Sequence, residues 1–473
     1  MKKSLLFIAV FSLFLCPIKA QEKVEKIQLE KNAKLISAVD LGKKGLLLKL
    51  GGAHNKLRFY TSSFEMKWET PLKTNGGFDA SSYPVIVSYD GDYVYQIEYQ
   101  GLRFGKMILN QIDKTGKIKT HEKKIDFKNQ KTIFCDSRYL YFLCTQNGNE
   151  LVEKMTEEKL ILNKFDHTSF TQTKSIIDLP KIKDPDNSTF WTYAGHNNDE
   201  IFLISKVLEE MGKKITYNVV SVNSDGKVLK NISLHVNLDN KFVRPSRNAK
   251  SYYDISNGSD DDFFDLLIGS SVSSTMKPLI GAMSNIVIDK DNHSIYIYGL
   301  YGPKPYVWEE ETDNEGYFIC KFDMEGNPVF QLQKNAPGSL LMEKYFAKHP
   351  REYAINTQFS INADQSVNFR IFYKNFMHTF MVSNKGELAE YFMKTYKDYI
   401  SYAMRTPTVE TIDIEFFNSH QNETKFETYK KSIDEKKLKK LKFQFCRSAL
   451  GEIVVENNSK EDEVKLLYFD SKK

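Results

Sequence analysis

An all-β fold, a seven-bladed β-propeller, is predicted by three features of the sequence. A two-turn unit recurs seven times, an apolar strand follows the first turn of every copy, and the seventh copy stops one strand short. The second turn is the clearest marker. It reads Phe59-Tyr60 before Thr61-Ser62-Ser63, Ile112-Asp113 before Lys114-Thr115-Gly116, and Phe165-Asp166 before His167-Thr168-Ser169. It continues as Val222-Asn223 before Ser224-Asp225-Gly226, Phe322-Asp323 before Met324-Glu325-Gly326, Val382-Ser383 before Asn384-Lys385-Gly386, and Phe469-Asp470 before Ser471. Self-similarity of this kind, built from strands and turns, marks a propeller. Spacing between copies is uneven, so six or eight blades also fit.

Each copy supplies the strands of a blade. Copy five gives Asn285 to Ile288, Ser294 to Tyr298, Gly316 to Phe322 and Asn327 to Leu332, runs rich in β-branched and aromatic residues. The turns carry Asp, Asn and Gly for mechanical reasons. Asp and Asn bond their own backbone two residues on, and Gly accepts the positive φ of tight hairpins. The strands after the first turn, such as Leu140 to Leu143 and Ile201 to Ile204, are almost continuously apolar, as strands covered on both faces are.

The truncated seventh copy explains how the two ends meet. It offers Lys442 to Phe445, Glu452 to Val455 and Val464 to Phe469, then stops, while Val24 to Leu29 has strand-like alternation and no partner of its own. Pairing the N-terminal strand with the last blade supplies its fourth strand and removes exposed strand edges.

The first twenty residues read as a secretory signal of bacterial style. Lys2-Lys3 precede an apolar core from Leu5 to Leu15, and Ala20 before Gln21 is a cleavage site of small-residue type. Cys16 invites lipid attachment, but Leu15 and Pro17 beside it fit a lipid-attachment box poorly. The expectation is a free periplasmic or extracellular protein, with residues 21–473 forming one propeller domain that has no membrane span. Removing residues 1–20 leaves 63 basic against 61 acidic residues, a net charge of +2. So balanced a chain has no field to attract nucleic acid. Its lysine-rich stretches, Lys430-Lys431 and Glu435 to Lys442, are interleaved with acids and read as a solvated helix or loop.

Cys135, Cys144, Cys320 and Cys446 fall in strand runs and read as small buried apolar residues, with no zinc-site spacing. Cys135 and Cys144 flank a hairpin turn asymmetrically, so they should not face each other.

Three segments interrupt the repeat: about 236–283, 337–353 and 396–440. In the second, Leu341, Tyr345 and Phe346 fall on one helical face, and the third is polar and lysine-rich. Loops on rigid scaffolds commonly carry binding groups. The first segment holds Arg244, Arg247, Tyr252, Tyr253, Asp260, Asp261 and Asp262, and Arg and Tyr are the types that dominate interfaces. These residues are the expected partner-binding set, on one propeller face. Asp254, Asn257, Asp260 to Asp262 and Asp265 also supply oxygens enough for calcium, but their spacing does not follow the calcium-loop pattern, and a solvated acidic loop or a helix start at Asp260 explains them better.

No catalytic motif is present: no G-x-S-x-G elbow, no H-E-x-x-H helix, no phosphate or dinucleotide loop. The nine histidines share no spacing, and His196 near Trp191, ahead of an apolar strand, is the one placed to matter. No catalytic residue and no metal ligand is therefore assigned.

The apolar-Asp pair before a Gly-containing turn, clearest in Gln111-Ile112-Asp113-Lys114-Thr115-Gly116-Lys117, resembles the blades of pyrroloquinoline-quinone-type bacterial propellers over most of the chain. Tryptophan occurs only at Trp68, Trp191 and Trp308, unmatched to the docking positions of that class, so no cofactor residue is carried over. The expectation is a non-enzymatic envelope or secreted binding protein that holds a protein or glycan partner on a propeller face. The alternative is a secreted hydrolase or lyase acting on glycans or peptides with a site in the central funnel. The oligomeric state stays open.

Overall fold

The computed structural model describes residues 23–29, 34–41, 44–51, 55–61, 63–72, 85–88, 91–100, 106–124, 130–145, 160–182, 191–244, 246–248, 284–289, 292–305, 314–337, 355–362, 364–373, 376–395, 420–448, 451–458 and 463–470. They form seven sheets, the blades of a β-propeller. Two compact units are distinguished: Met1–Lys73 with Asp413–Lys473, and Thr74–Ile412.

The smaller unit holds two sheets. Blade one is β2 (Lys34–Asp40), β3 (Gly45–Gly51), β4 (Lys56–Thr61) and β5 (Met66–Pro71). The other, blade seven, joins β1 (Lys23–Gln28) to β28 (Leu441–Ser448), β29 (Gly451–Asn458) and β30 (Glu463–Asp470), in the order β1-β30-β29-β28. Here the expected closure is observed. β1 lies antiparallel to β30 along its whole length, from Lys23 opposite Tyr468 to Gln28 opposite Glu463. Ile27 and Val464 face each other, both buried.

The larger unit holds five blades. Blade two is β6 (Val85–Val87), β7 (Tyr93–Gln100), β8 (Lys106–Asp113) and β9 (Ile118–Lys124). Blade three is β10 (Gln130–Cys135), β11 (Tyr139–Thr145), β12 (Leu160–Asp166) and β13 (Gln172–Ile177). Blade four is β14 (Thr192–His196), β15 (Ile201–Glu209), β16 (Lys214–Val222) and β17 (Val228–Asn237). Blade five combines β18 (Phe242–Arg244) with β20 (Asn285–Asp289), β21 (Ser294–Gly302), β22 (Gly316–Asp323) and β23 (Pro328–Asn335). Blade six combines β19 (Ser246–Asn248) with β24 (Ile355–Ile361), β25 (Val367–Tyr373), β26 (Phe376–Val382) and β27 (Leu388–Thr395).

Middle strands such as β3 and β21 are buried at every residue, as continuous apolar runs covered on both faces must be. Between neighbouring blades the rings interlock. Phe134 of blade three stacks on Tyr193 of blade four with centroids 4.6 Å apart, and Tyr298 of blade five on Phe359 of blade six at 4.4 Å. The second turns repeat one device. Asp113 Oδ1 accepts from the amides of Thr115 and Lys117, and Asp323 Oδ1 from those of Glu325 and Asn327. Gly116 and Gly326 then close the turns at φ of +85° and +90°.

The lysine-rich segment does more than solvate. It folds into α1 (His420–Lys431) and α2 (Glu435–Leu438), the second started by Asp434 accepting from the amides of Lys436 and Lys437. Phe426 of α1 is buried against Phe443 and Phe469 at 5.2 and 6.1 Å between centroids. Cys135 lies opposite Leu140 and Cys144 opposite Gln130, and with Cys320 they are buried cysteines outside any disulfide. Burial pushes the Cys144 thiol up to about 12.

Candidate functional site in blades five and six

The repeat is broken inside a strand. β21 is nine residues long, and its first half pairs with β20, Ser294 to Tyr298 against Asp289 to Asn285. Its second half pairs with β18, Leu300 to Gly302 against Arg244 to Phe242. The first strand of blade five is thus delivered in two pieces, β18 ending at Arg244 and β20 beginning at Asn285. Gly299 lies opposite the break. A Cβ there would come within 3.2 Å of the Ser284 Cα and 3.0 Å of the Phe318 ring, so any side chain at this position presses on the returning chain.

On leaving blade five the chain at once pairs with blade six. β19 runs alongside β24 with Ser246 opposite Ile355, Arg247 opposite Asn356 and Asn248 opposite Thr357. This is the one parallel pairing among the described strands; every other ladder is antiparallel. The segment therefore starts from a base shared by two blades.

The return is pinned from three sides. Lys206 Nζ donates to the Ser284 carbonyl at 2.8 Å, and the Tyr217 hydroxyl lies 3.0 Å from Ser284 Oγ. Asn285 Nδ2 reaches the carbonyl and Oγ of Ser246 at 3.4 and 3.3 Å, tying the return to the departure. Ser284 itself sits at φ +89°, a conformation costly for a residue with a Cβ and held here by its neighbours. Lys206 is 5 % exposed, its ammonium 5.3 Å from the centroid of the Tyr217 ring, and Arg244 is 2 % exposed. Two cations are thus buried at the root of the segment.

Of the residues expected to bind a partner, Arg244 lies buried in β18, and Arg247 occupies the middle position of β19. Tyr252, Tyr253, Asp260, Asp261 and Asp262 lie outside the described residues, as do the carboxylates considered for calcium and the 341–346 stretch. Lys206, Ser284, Asn285 and Gly299 escaped the sequence reading. The signal was there in β21, whose nine residues exceed the five of β20 and so require a second partner.

His196 belongs to a different constellation. Its Nε2 meets the Cys135 carbonyl at 2.6 Å and its Nδ1 meets the Tyr193 hydroxyl. One blade earlier, His167 Nδ1 is 2.7 Å from the Tyr95 hydroxyl and its Nε2 3.1 Å from the Asp136 carbonyl. Each imidazole therefore bridges neighbouring blades with both nitrogens engaged. Burial pushes the Tyr95, Tyr141 and Tyr193 hydroxyls well above their ordinary range, so they act as neutral donors. This network fastens blades together.

The smaller unit has a concavity of about 670 Å³ lined by Lys26, Gln28, Arg58, Tyr60, Met66 and Glu69 among others. Two of its charges are mutually engaged: Arg58 pairs with Glu69 and also donates to the Gln28 carbonyl at 3.2 Å. Among the described residues no three His, Cys, Asp or Glu side chains gather as metal ligands, and no helix is long and apolar enough to cross a membrane.

The chain is a seven-bladed β-propeller by its own strand pairing. No family model and no curated protein matches the sequence. Solved structures similar to it include a quinoprotein alcohol dehydrogenase-like protein from Bacteroides thetaiotaomicron, at 10 % identity and TM-score 0.33, covering 78 % of this chain and 67 % of that one. An apocarotenoid oxygenase from Synechocystis matches at 11 % identity and TM-score 0.33, over 74 % and 69 % of the two chains. Prolyl oligopeptidase B from Galerina marginata matches at 8 % identity and TM-score 0.36, over 91 % of this chain and 47 % of its own. Likenesses this remote carry no argument about activity.

Proposed function

We propose that this propeller is a non-enzymatic binding or scaffold protein of the bacterial envelope. It would hold a protein or glycan partner through the segment between Asn248 and Ser284. The observation behind this reading is the base of that segment: a broken first strand in blade five, a parallel strand added to blade six, and a return clamped by Lys206, Tyr217 and Asn285. With its two ends fixed in rigid sheets, such a segment has less freedom to lose on binding than one with free ends, which favours affinity. Its composition supports the same reading, because Tyr252 and Tyr253 are amphipathic anchors and Asp260 to Asp262 offer charge to a basic or hydroxyl-rich partner.

The test replaces residues 249–283 by a short Gly-Ser linker and compares partners captured from envelope extract. Loss of a partner by a variant that still folds supports the reading. A folded variant that keeps every partner of the parent chain overturns it. Envelope residence is tested separately, by intact mass after expression in a Gram-negative host. A mature chain starting at Gln21 is expected, and a lipidated Cys16 would replace the free form with an anchored one.

A further inference from the structure

Near-neutrality over the whole chain conceals a local excess of charge on the smaller unit. Lys430 to Lys440 holds six lysines against Asp434 and Glu435, and no other eleven-residue stretch has as many basic residues. The rest of residues 21–473 holds 57 basic against 59 acidic residues, so the positive excess of that chain lies in this elbow between α1 and α2. Both acids are already engaged. Asp434 accepts from the amides of Lys436 and Lys437, and Glu435 pairs with Lys439 at 3.1 Å. Lys430 pairs with Glu427 at 3.1 Å. Lys431, Lys436, Lys437 and Lys440 are exposed and meet no carboxylate among the described residues. The Lys440 amide bonds the Lys437 carbonyl at 2.9 Å, so the chain keeps turning past α2. Lys440 therefore falls on the same side as Lys436 and Lys437, four and three places before it. The elbow is fixed from beneath, by Phe426 buried against Phe443 and Phe469 and by the Tyr429 hydroxyl donating to Glu456.

We propose that this elbow docks the protein reversibly on an anionic phospholipid surface. Each lysine brought close to such a surface raises the partition onto it about fivefold, so four unspent ammonium groups are enough to hold a chain there. The chemistry of the patch favours a bilayer over an acidic glycan. All six cations are lysines, compact charges that follow mobile headgroups, whereas fixed carboxylates or sulfates are matched by the fork of arginine. Sugars also stack on open ring faces, and both rings of the elbow, Phe426 and Tyr429, are committed to blade seven. No large apolar side chain is exposed between Thr424 and Leu441, so nothing described there inserts into the bilayer and the attachment is electrostatic. Blade two has a second basic run, Lys114 to Lys123, but its charges are partly spent. Lys117 shares its turn with the Asp113 carboxylate, and Lys123 lies over the rings of Phe165 and Phe170 at 5.8 and 5.4 Å.

Sedimentation of the full mature chain with lipid vesicles at about 0.1 M salt reads the outcome directly. The chain should bind vesicles containing phosphatidylglycerol, ignore pure phosphatidylcholine, and come off at about 1 M salt. Lys436→Glu/Lys437→Glu/Lys440→Glu should lower the partition coefficient about 100-fold or more at an unchanged melting temperature. Lys436→Gln/Lys437→Gln/Lys440→Gln, which removes charge without adding repulsion, should lower it about tenfold or more and stands in if the reversal disturbs the fold. Lys114→Glu/Lys117→Glu/Lys119→Glu gives the chain the same net charge as the first variant but should stay within about threefold of the parent, since screening confines the effect to the docked face. No binding to the anionic vesicles, equal binding to the neutral ones, equal losses in the two reversed variants, or capture by soluble polygalacturonate in place of vesicles would each overturn the proposal.

Discussion

Lys164, on the third strand of blade three, sets its ammonium 2.6 Å from the carboxylate of Asp225 in the second turn of blade four. The position recurs. Gln111, likewise two residues before its turn Asp, donates to the His167 carbonyl of blade three at 2.6 Å. Lys321, again two before the turn Asp, donates to Gln365 of blade six at 3.0 Å. One place in the repeat thus ties each of these blades to its successor. Blade four differs: Ser221 is too short to cross and bonds Glu200 of its own blade at 3.0 Å.

The tie predicts an asymmetry between its partners. Lys164 is buried and lies 4.6 Å from the centroid of the Tyr139 ring, whereas Asp225 is largely exposed, its carboxyl held below the usual range by the bond to Lys164 and its charge. Asp225→Ala strands a buried ammonium and should cost about 1–2 kcal/mol. Lys164→Met removes charge and need together and should cost less. Urea midpoints of the two variants check the order, and equal losses would mean that the ion pair itself carries the stability.

Gly299 gives a second test, aimed at the base of the candidate site. Substitution by Val drives a side chain into the Ser284 backbone and the Phe318 ring, both within about 3 Å of the first added carbon. A loss of about 1–3 kcal/mol is expected, with the return of the chain at Ser284 disturbed first. Native-state hydrogen exchange at residues 284–289 should then rise more than exchange in blade three.

Acid stability follows from two histidines. Burial holds the His378 imidazole down to about 4, and burial together with Lys119 and Lys123 does the same for His121. Both folded values lie below the unfolded one, so the unfolded chain binds protons that the folded chain refuses. Their stabilisation is complete above about pH 6.5 and is lost as pH falls towards 4. In His378→Gln the fall in melting temperature between pH 7 and pH 4.5 should be smaller than in the parent chain. An unchanged fall would show that His378 has no part in the acid transition.

The blades were legible in the sequence because strands and turns are local. Alternation and burial write themselves into runs such as Leu140 to Leu143, and the turn Asp with its Gly writes itself into five-residue windows. The base of the candidate site was not, because β18 and β19 are three residues each and acquire meaning only from partners, Leu300 to Gly302 and Ile355 to Thr357, that lie 56 or more residues away. Nor does a sequence say that Lys206 ends on the Ser284 carbonyl, 78 residues on. Phe426 was obscured differently, by a lysine-rich neighbourhood whose composition outweighs one buried ring.

The last prediction concerns blade seven, whose fourth strand comes from the other end of the chain. Ile27 is buried opposite Val464 in the β1–β30 ladder, while Val24, three residues earlier, stands exposed opposite Leu467. Both residues belong to the same strand and leave the same backbone bonds in place when shortened. Ile27→Ala empties a packed position and should cost about 2–4 kcal/mol, whereas Val24→Ala should stay within about 0.5 kcal/mol. If β1 only rested on blade seven, both changes would be small. If it completes the blade, the two should differ by more than about 1.5 kcal/mol in urea midpoints at unchanged slope, since the same surface is exposed on unfolding.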